Sequence, residues 1–287
     1  MPTMRRIIDR LHHLVVGPRR YYLHRFRRIH GRDPILDPPI ESFDKMAYLV
    51  LRSDLSSINH LADKHLVRDF VRSRLDESYL PPLHGVYDRF RDIDRSTLPR
   101  SFVIKCTHGC RWNQRVEDRD AVDWRALGRR FERWRRRDYS RIWNESTYRG
   151  LTGRIMIEPW LGGPEGDLHD IKIFVNRGEP LGGISHSANT PKLCMGYDAS
   201  GNVVRSLEVG PDPPIHPAFE RCMEVARILG RGLPAVRVDM LSTGDRLYVG
   251  EMTFVSGAGL DRKVPGPVYT RDFDPRDYDR RPILQAP

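Results

Sequence analysis

Lysine is scarce in this chain of 287 residues. Only six occur, Lys45, Lys64, Lys105, Lys172, Lys192 and Lys263, against 42 arginines. Genome composition alone can produce such a bias, so the information lies in the positions. Long apolar runs are absent. No stretch of 18 or more apolar residues occurs, which excludes a predicted transmembrane helix. The runs Ile7-Ile8 and Leu14-Val15-Val16 are too short, and too interrupted by Arg and His, for a signal peptide. Cysteine is sparse as well. Cys106, Cys110, Cys194 and Cys222 form no CxxC pair, so no disulfide framework is expected. Cys106, His108 and Cys110 lack a second ligand pair at zinc spacing. A reduced, cytoplasmic protein is expected. Apolar residues are not lacking: 39% hydrophobic content excludes a disordered chain, and the length allows one large domain or two moderate ones.

The formal net charge is +10. The positive charge gathers in two places. Residues 1–32 hold nine arginines and one aspartate, and residues 125–141 hold eight arginines. No helix-turn-helix, RNP or zinc-finger pattern accompanies them, so no sequence-specific nucleic-acid binding is expected. An anionic membrane surface or polymer suits this charge better. Residues 3–31 read as a basic amphipathic helix broken at Gly17-Pro18, with Tyr21, Tyr22, Phe26 and Ile29 among arginines. Such a helix either lies on a membrane at the inner surface or packs on the body with a solvated basic face.

The remaining pattern is α+β with mostly antiparallel hairpins in the second half. Helices are predicted over 41–51, 58–75, 123–137 and 217–229. Strands are predicted over 101–106, 154–158, 170–175, 182–186, 235–240 and 246–251. A long loop is expected from Ser187 to Pro217, and an extended tail from Pro265.

Three polar features fall on strands that ought to be buried. Arg237 and Asp239 share one face of a strand at i and i+2. Glu251 ends the next strand, and a hairpin can place it opposite Asp239. Converging carboxylates repel unless a cation lies between them, and Mg²⁺ is commonly held by one or two carboxylates plus phosphates. Finally, Lys105 follows Phe102-Val103-Ile104, and Lys172 lies inside Asp170-Ile171-Lys172-Ile173. With Lys64 they stand where a polyphosphate can be gripped. Snorkelling lysines and edge-strand ion pairs account for the same spacing.

The order of the motifs resembles the ATP-grasp superfamily, and more closely its TupA-like family, over about residues 34–263. The matching pieces are Pro39 to Lys45, Ala62 to Arg68, Phe102 to Gly109, Asp170 to Phe174, Val236 to Asp239 and Gly250 to Phe254. The resemblance implies an ATP-grasp fold, in which two α+β subdomains grip ATP between antiparallel sheets. It divides the chain into a basic helical extension (1–33), a helical region (34–100), a small lid subdomain (101–160), a metal-bearing subdomain (161–264) and a tail (265–287). It implies ATP and two Mg²⁺ ions. Lys64, Lys105 and Lys172 would contact phosphates, with Asp170 beside Lys172. Glu158 would meet adenine and ribose. Asp239, Glu251 and Thr253 would bind metal, and Arg237 would stabilise charge on the transferring phosphoryl group. His108 and Gly109 would belong to the loop over the phosphates.

That loop departs from the family pattern. A glycine-rich run is expected after His-Gly, but the sequence reads His108-Gly109-Cys110-Arg111-Trp112-Asn113. Arg111 could replace backbone donors with a side-chain contact, or Trp112 could block the loop. The implied activity is a carboxylate–amine ligase working through an acyl phosphate, on a small-molecule or polymer carboxylate and an amine acceptor. The implied setting is cell-surface polymer or natural-product biosynthesis. His186 and Lys192 are further candidates for substrate recognition. A kinase on the same fold and a non-catalytic scaffold at the membrane surface remain open.

Overall fold

Residues 17–162, 168–187, 194–206, 215–260, 273–279 and 283 are described by a computed structural model. In chain order come α1 (Pro18–His30), α2 (Ser42–Leu51), α3 (Val67–Arg72), β1 (Gly85–Tyr87), β2 (Phe102–Cys106) and β3 (Asn113–Val116). Then follow α4 (Trp124–Arg135), α5 (Tyr139–Trp143), β4 (Ile155–Glu158), β5 (His169–Asn176) and β6 (Glu179–Ser187). The described elements close with β7 (Cys194–Asp198), β8 (Val203–Ser206), α6 (Phe219–Gly230), β9 (Ala235–Ser242) and β10 (Leu247–Thr253).

The strands form two antiparallel sheets, one in the order β1-β4-β2-β3 and one in the order β10-β9-β5-β6-β7-β8. The smaller sheet draws β1 from the region before residue 100. Its strand β2 alternates, with Phe102, Ile104 and Cys106 buried against the Leu127 and Phe131 side of α4. Asp123 caps α4 by accepting from the Ala126 N–H at 2.9 Å. In the larger sheet Ile171, Ile173 and Val175 of β5 and Val236, Val238 and Met240 of β9 pack on Cys222, Val225, Ala226 and Leu229 of α6. Burying each large apolar side chain contributes about 1.5–3 kcal/mol. The same alternation leaves Asp170 and Lys172 of β5, and Arg237 and Asp239 of β9, on the opposite face.

Three expectations are corrected. The helix predicted over 58–75 is two short pieces, a 3₁₀ turn Asn59–Ala62 and α3. Asp63 is extended, and its carboxylate accepts from the His65 and Leu66 N–H groups, which breaks the helix. The loop predicted from Ser187 to Pro217 contains β7 and β8; Lys192 lies outside the described residues. The tail is not simply extended, because Phe273 and Tyr278 are buried in the main core. Tyr21, Tyr22 and Phe26 of α1 are buried against the body, so these rings are not free to enter a membrane. Residues 1–16 lie outside the described part. Among the described residues no helix is long and apolar enough to cross a membrane.

Candidate active site

The site begins with a β-bulge. Leu247, Tyr248 and Val249 of β10 pair with Ser242, Leu241 and Met240, and then the register shifts by one. Gly250 is the extra residue, and Glu251 pairs with Asp239. Without the shift, strict alternation would place Glu251 on the Val249 face, in the core. With it, Met252 continues the core and Glu251 and Thr253 turn to the face of Asp239 and Arg237.

On that face the side chains form a connected ionic cluster. Arg237 donates from Nε and Nη2 to the two Asp239 carboxylate oxygens at 2.6 and 2.7 Å. It also donates to Ser256 Oγ at 2.6 Å and to Thr253 Oγ1 at 3.2 Å. Lys172, opposite Asp239 in the register of β5 and β9, has Nζ 3.7 Å from Asp239 Oδ2 and also pairs with Asp170. His186 Nε2 lies 3.5 Å from Asp170 Oδ2. Burial opposes ionisation of Asp170, but the His186 hydrogen bond and Lys172 outweigh it and hold the carboxyl below its usual range.

Lys64 ties this cluster to the smaller sheet. Its Nζ lies 3.1 Å from Glu251 Oε2 and donates to the Gly109 carbonyl at 2.8 Å. Its backbone N–H donates to the Thr107 carbonyl. The break at Asp63 therefore puts Lys64 between the two sheets. Burial opposes the charge on Lys64, but Glu251 more than compensates and raises its pKa. On the smaller sheet Lys105 pairs with Glu158, and Arg68 Nη1 lies 3.5 Å from the other Glu158 oxygen. Lys105 alternates away from the Phe102, Ile104 and Cys106 face, so it is turned from α4.

Loop 107–112 resolves the departure noted in the sequence. Trp112 is buried in the core of the smaller subdomain, stacked on Trp134 with ring centroids 6.5 Å apart and edge-on to Tyr139. It fills the core rather than blocking a cleft. His108 is also buried there, with Nε2 3.0 Å from the Arg137 carbonyl. Its imidazole is therefore not brought to the ionic cluster. Gly109 adopts φ 93°, and a Cβ would come within 2.5 Å of the Tyr139 ring, so only glycine fits. Arg111 is exposed with φ 62°, and among the described residues its side chain has no partner.

Four residues at the site escaped the sequence reading. Tyr148 Oη donates to Glu251 Oε1 at 2.5 Å. Glu145 lies beside the cluster; burial, with Glu251 next, pushes its carboxyl up to about 8 against the pull of Arg237 and Lys64. Ser256 and Arg68 complete the contacts. Glu145 and Tyr148 sit in an irregular segment between α5 and β4, where no periodicity marks a face.

The donor set fits Mg²⁺ carried with phosphates. Among the described residues no three His, Cys, Asp or Glu side chains converge closely enough to hold a metal by themselves. Two opposed carboxylates among Lys64, Lys172 and Arg237 suit an ion that completes its shell with phosphate oxygens.

The TupA-like ATPgrasp family model matches residues 44–269. The chain belongs to this family. Its two antiparallel sheets, with their helices, are the two subdomains of an ATP-grasp fold. No curated protein matches the sequence. Among solved structures it is similar to D-alanine–D-alanine ligase from Bacillus anthracis complexed with ATP, at 18% identity over 71% of this chain and 58% of that one, with a TM-score of 0.46. It is similar to the RimK domain ATP-grasp protein from Sphaerobacter thermophilus, at 14% identity over 77% and 67%, with a TM-score of 0.41. It is also similar to D-alanine–D-alanine ligase from Helicobacter pylori, at 12% identity over 69% and 55%, with a TM-score of 0.41. The chain thus spans under two thirds of the length of both D-alanine–D-alanine ligases.

Proposed function

We propose that this TupA-like protein is an ADP-forming ligase that joins a carboxylate to an amine. The observation that carries the reading is the placement of Asp239, Glu251, Arg237, Lys172 and Lys64 in one connected cluster. In this reading Lys64, Lys105 and Lys172 hold ATP phosphates, with Asp170 and His186 orienting Lys172. Glu158 anchors Lys105 and closes the adenine side. Asp239 and Glu251 hold Mg²⁺, which neutralises phosphate charge. Thr253 steadies Arg237 from the neighbouring strand β10 and completes the metal side.

Carboxylate oxygen attacks the γ-phosphorus and ADP leaves. The amine nitrogen then attacks the acyl carbon of the acyl phosphate and phosphate leaves. Arg237 is fixed at both ends, by Asp239 and Ser256, and can stabilise the equatorial phosphoryl oxygens without reorganising. No Cys or Ser nucleophile is required. Gly109 and Arg111 cover the phosphates, with Arg111 supplying a guanidinium where relatives of the expected pattern use glycine backbone. Family resemblance supports a cytoplasmic setting in surface-polymer or natural-product assembly. The exposed arginines of α1 support a peripheral contact of residues 1–33 with an anionic membrane or polymer.

The test combines heat protection with product analysis. ATP with Mg²⁺ should raise the unfolding temperature, and Asp239→Asn should abolish the increment. Release of ADP and phosphate should require both an acid and an amine. Formation of ADP without free phosphate would instead make the protein a kinase. No protection by nucleotide, with or without Mg²⁺, would sink the reading.

A further inference from the structure

The second arginine cluster of the sequence plays no part in the cleft. Three of its members, Arg125, Arg135 and Arg136, help line a cavity of about 660 Å³ between α4 and the 3₁₀ turns Phe90–Asp92 and Arg95–Thr97. That volume lies within the usual range for binding pockets. Along α4 and its C-cap residue the lining positions Arg125, Gly128, Glu132 and Arg136 recur every three or four residues, so the cavity follows one stripe of the helix. Arg125 and Arg136 are therefore about 16 Å apart along the axis. Leu127 and Phe131 occupy the buried side. The opposite wall supplies Arg89, Arg91 and Arg95.

Six arginines and one glutamate line this groove. Glu132 is already committed: it accepts from the Phe90 N–H at 2.8 Å and pairs with Arg135 at 2.8 Å. Arg136 also pairs with Glu132 at 3.4 Å and Arg91 with Asp92 at 3.7 Å, whereas among the described residues the side chains of Arg89 and Arg125 have no partner. A single small anion cannot reach both ends of a groove this long. An extended chain of about five residues can. Arginine forks match carboxylates bidentately. Gly128 lets α4 approach Phe90 closely, since a Cβ there would come within 2.8 Å of the Phe90 ring. A nucleobase does not find a free platform, because Arg95 lies 4.7 Å over the Trp124 ring and Phe102 stacks beside it.

We propose that this groove binds an acidic peptide segment through its carboxylates. The site is separate from the ionic cluster. It lies beyond α4, on the side of the smaller sheet away from Lys105, and does not depend on the ligase reading.

The test uses the full chain and a fluorescent peptide of roughly ten residues, about twice the groove's length, alternating Glu and Gly. Binding is read by anisotropy at physiological salt. R89A/R125A should weaken it at least about tenfold, the loss expected for two charge-assisted contacts. R129A/R133A, on the same helix but outside the groove, should change it less than about twofold. If R89A/R125A unfolds early, R89Q/R125Q carries the same expectation. Equal loss in both pairs would overturn the proposal, as would equal binding of a Gln-for-Glu peptide. Tighter binding of oligothymidylate or polyphosphate of matching charge would overturn it too.

Discussion

Asp239 and Glu251 face each other across neighbouring strands only because Gly250 is bulged out between them. A regular hairpin continued from Leu247 opposite Ser242 would pair Asp239 with Gly250 and send Glu251 into the core. The bulge therefore sets the geometry of the carboxylate pair. What matters is the number of residues there, since a Cβ at position 250 would meet only the Asp239 carbonyl, at 3.4 Å. Gly250→Ala should leave the unfolding temperature and Mg-ATP protection within a few degrees of the parent. Deleting Gly250 should abolish that protection. If deletion leaves it intact, the bulge does not position Glu251.

Glu145 gives the site a pH signature. Its carboxyl is raised from near 4.5 to about 8, chiefly by burial and then by Glu251. The folded state therefore binds a proton that the unfolded state has released across that window. Stability from this group falls as pH rises from about 4.5 to about 8 and then levels off. Asp170 and Glu251 act in the opposite sense at lower pH, so the comparison with a variant isolates the effect. Glu145→Gln should gain unfolding temperature relative to the parent as pH goes from 5 to 8. A difference that stays constant across this range would refute the assignment.

Glu158 should be more important to folding than Lys105. It is 4% exposed and answers two cations, Lys105 and Arg68. Arg68 Nε is buried without a hydrogen-bond partner, so Glu158 is the principal compensation for that guanidinium. Glu158→Ala leaves two uncompensated charges, at a cost of about 3–5 kcal/mol. In a chain of this size that lowers the unfolding temperature by roughly 10 °C. Lys105→Met leaves Glu158 paired with Arg68, so it should lower the unfolding temperature far less while weakening nucleotide binding. Calorimetry and nucleotide titration of the two variants check the contrast.

The parts legible in the sequence were those with a period. Alternation located β2, β5, β9 and β10 and put Arg237 and Asp239 on one face. The rare lysines at positions 64, 105 and 172 stand in two linked clusters. The bulge was not legible, because one unpaired glycine leaves no trace in a hydropathy pattern. The helix drawn through 58–75 failed because local hydrogen bonds to the Asp63 carboxylate compete with helical ones. Glu145 and Tyr148 lie where the backbone has no repeat at all. Trp112 could not be placed from sequence: obstruction of the expected phosphate loop was one of two open readings, and its ring belongs to the aromatic core.

Trp112 accordingly acts on stability. Its ring is 8% exposed and contacts His108, Trp134 and Tyr139. Trp112→Ala should destabilise the protein by about 3–5 kcal/mol, as other buried aromatic truncations do. It should not tighten ATP binding. An affinity gain of about tenfold or more in this variant would restore the idea that the indole obstructs the site.

Lys64 joins the loop after β2 to the carboxylate on β10, so its loss should be felt in both. Lys64→Met keeps most of the length of the side chain and removes the charge. The Gly109 carbonyl loses its donor, and Glu251 keeps Tyr148 and the field of Arg237. Burial opposes ionisation of Glu251, and Lys64 is the main influence holding its carboxyl below the usual range. Without it the Glu251 pKa rises, so a cluster that needs the ionised form is lost at a higher pH than in the parent. The acid limb of Mg-ATP protection, and of turnover where it is measured, should move to higher pH. Lys64→Arg should return the limb toward its original position, since the charge is restored. An acid limb that does not move in Lys64→Met would separate Glu251 from the titration that governs the site, and leave Lys64 as a purely structural tie between the sheets.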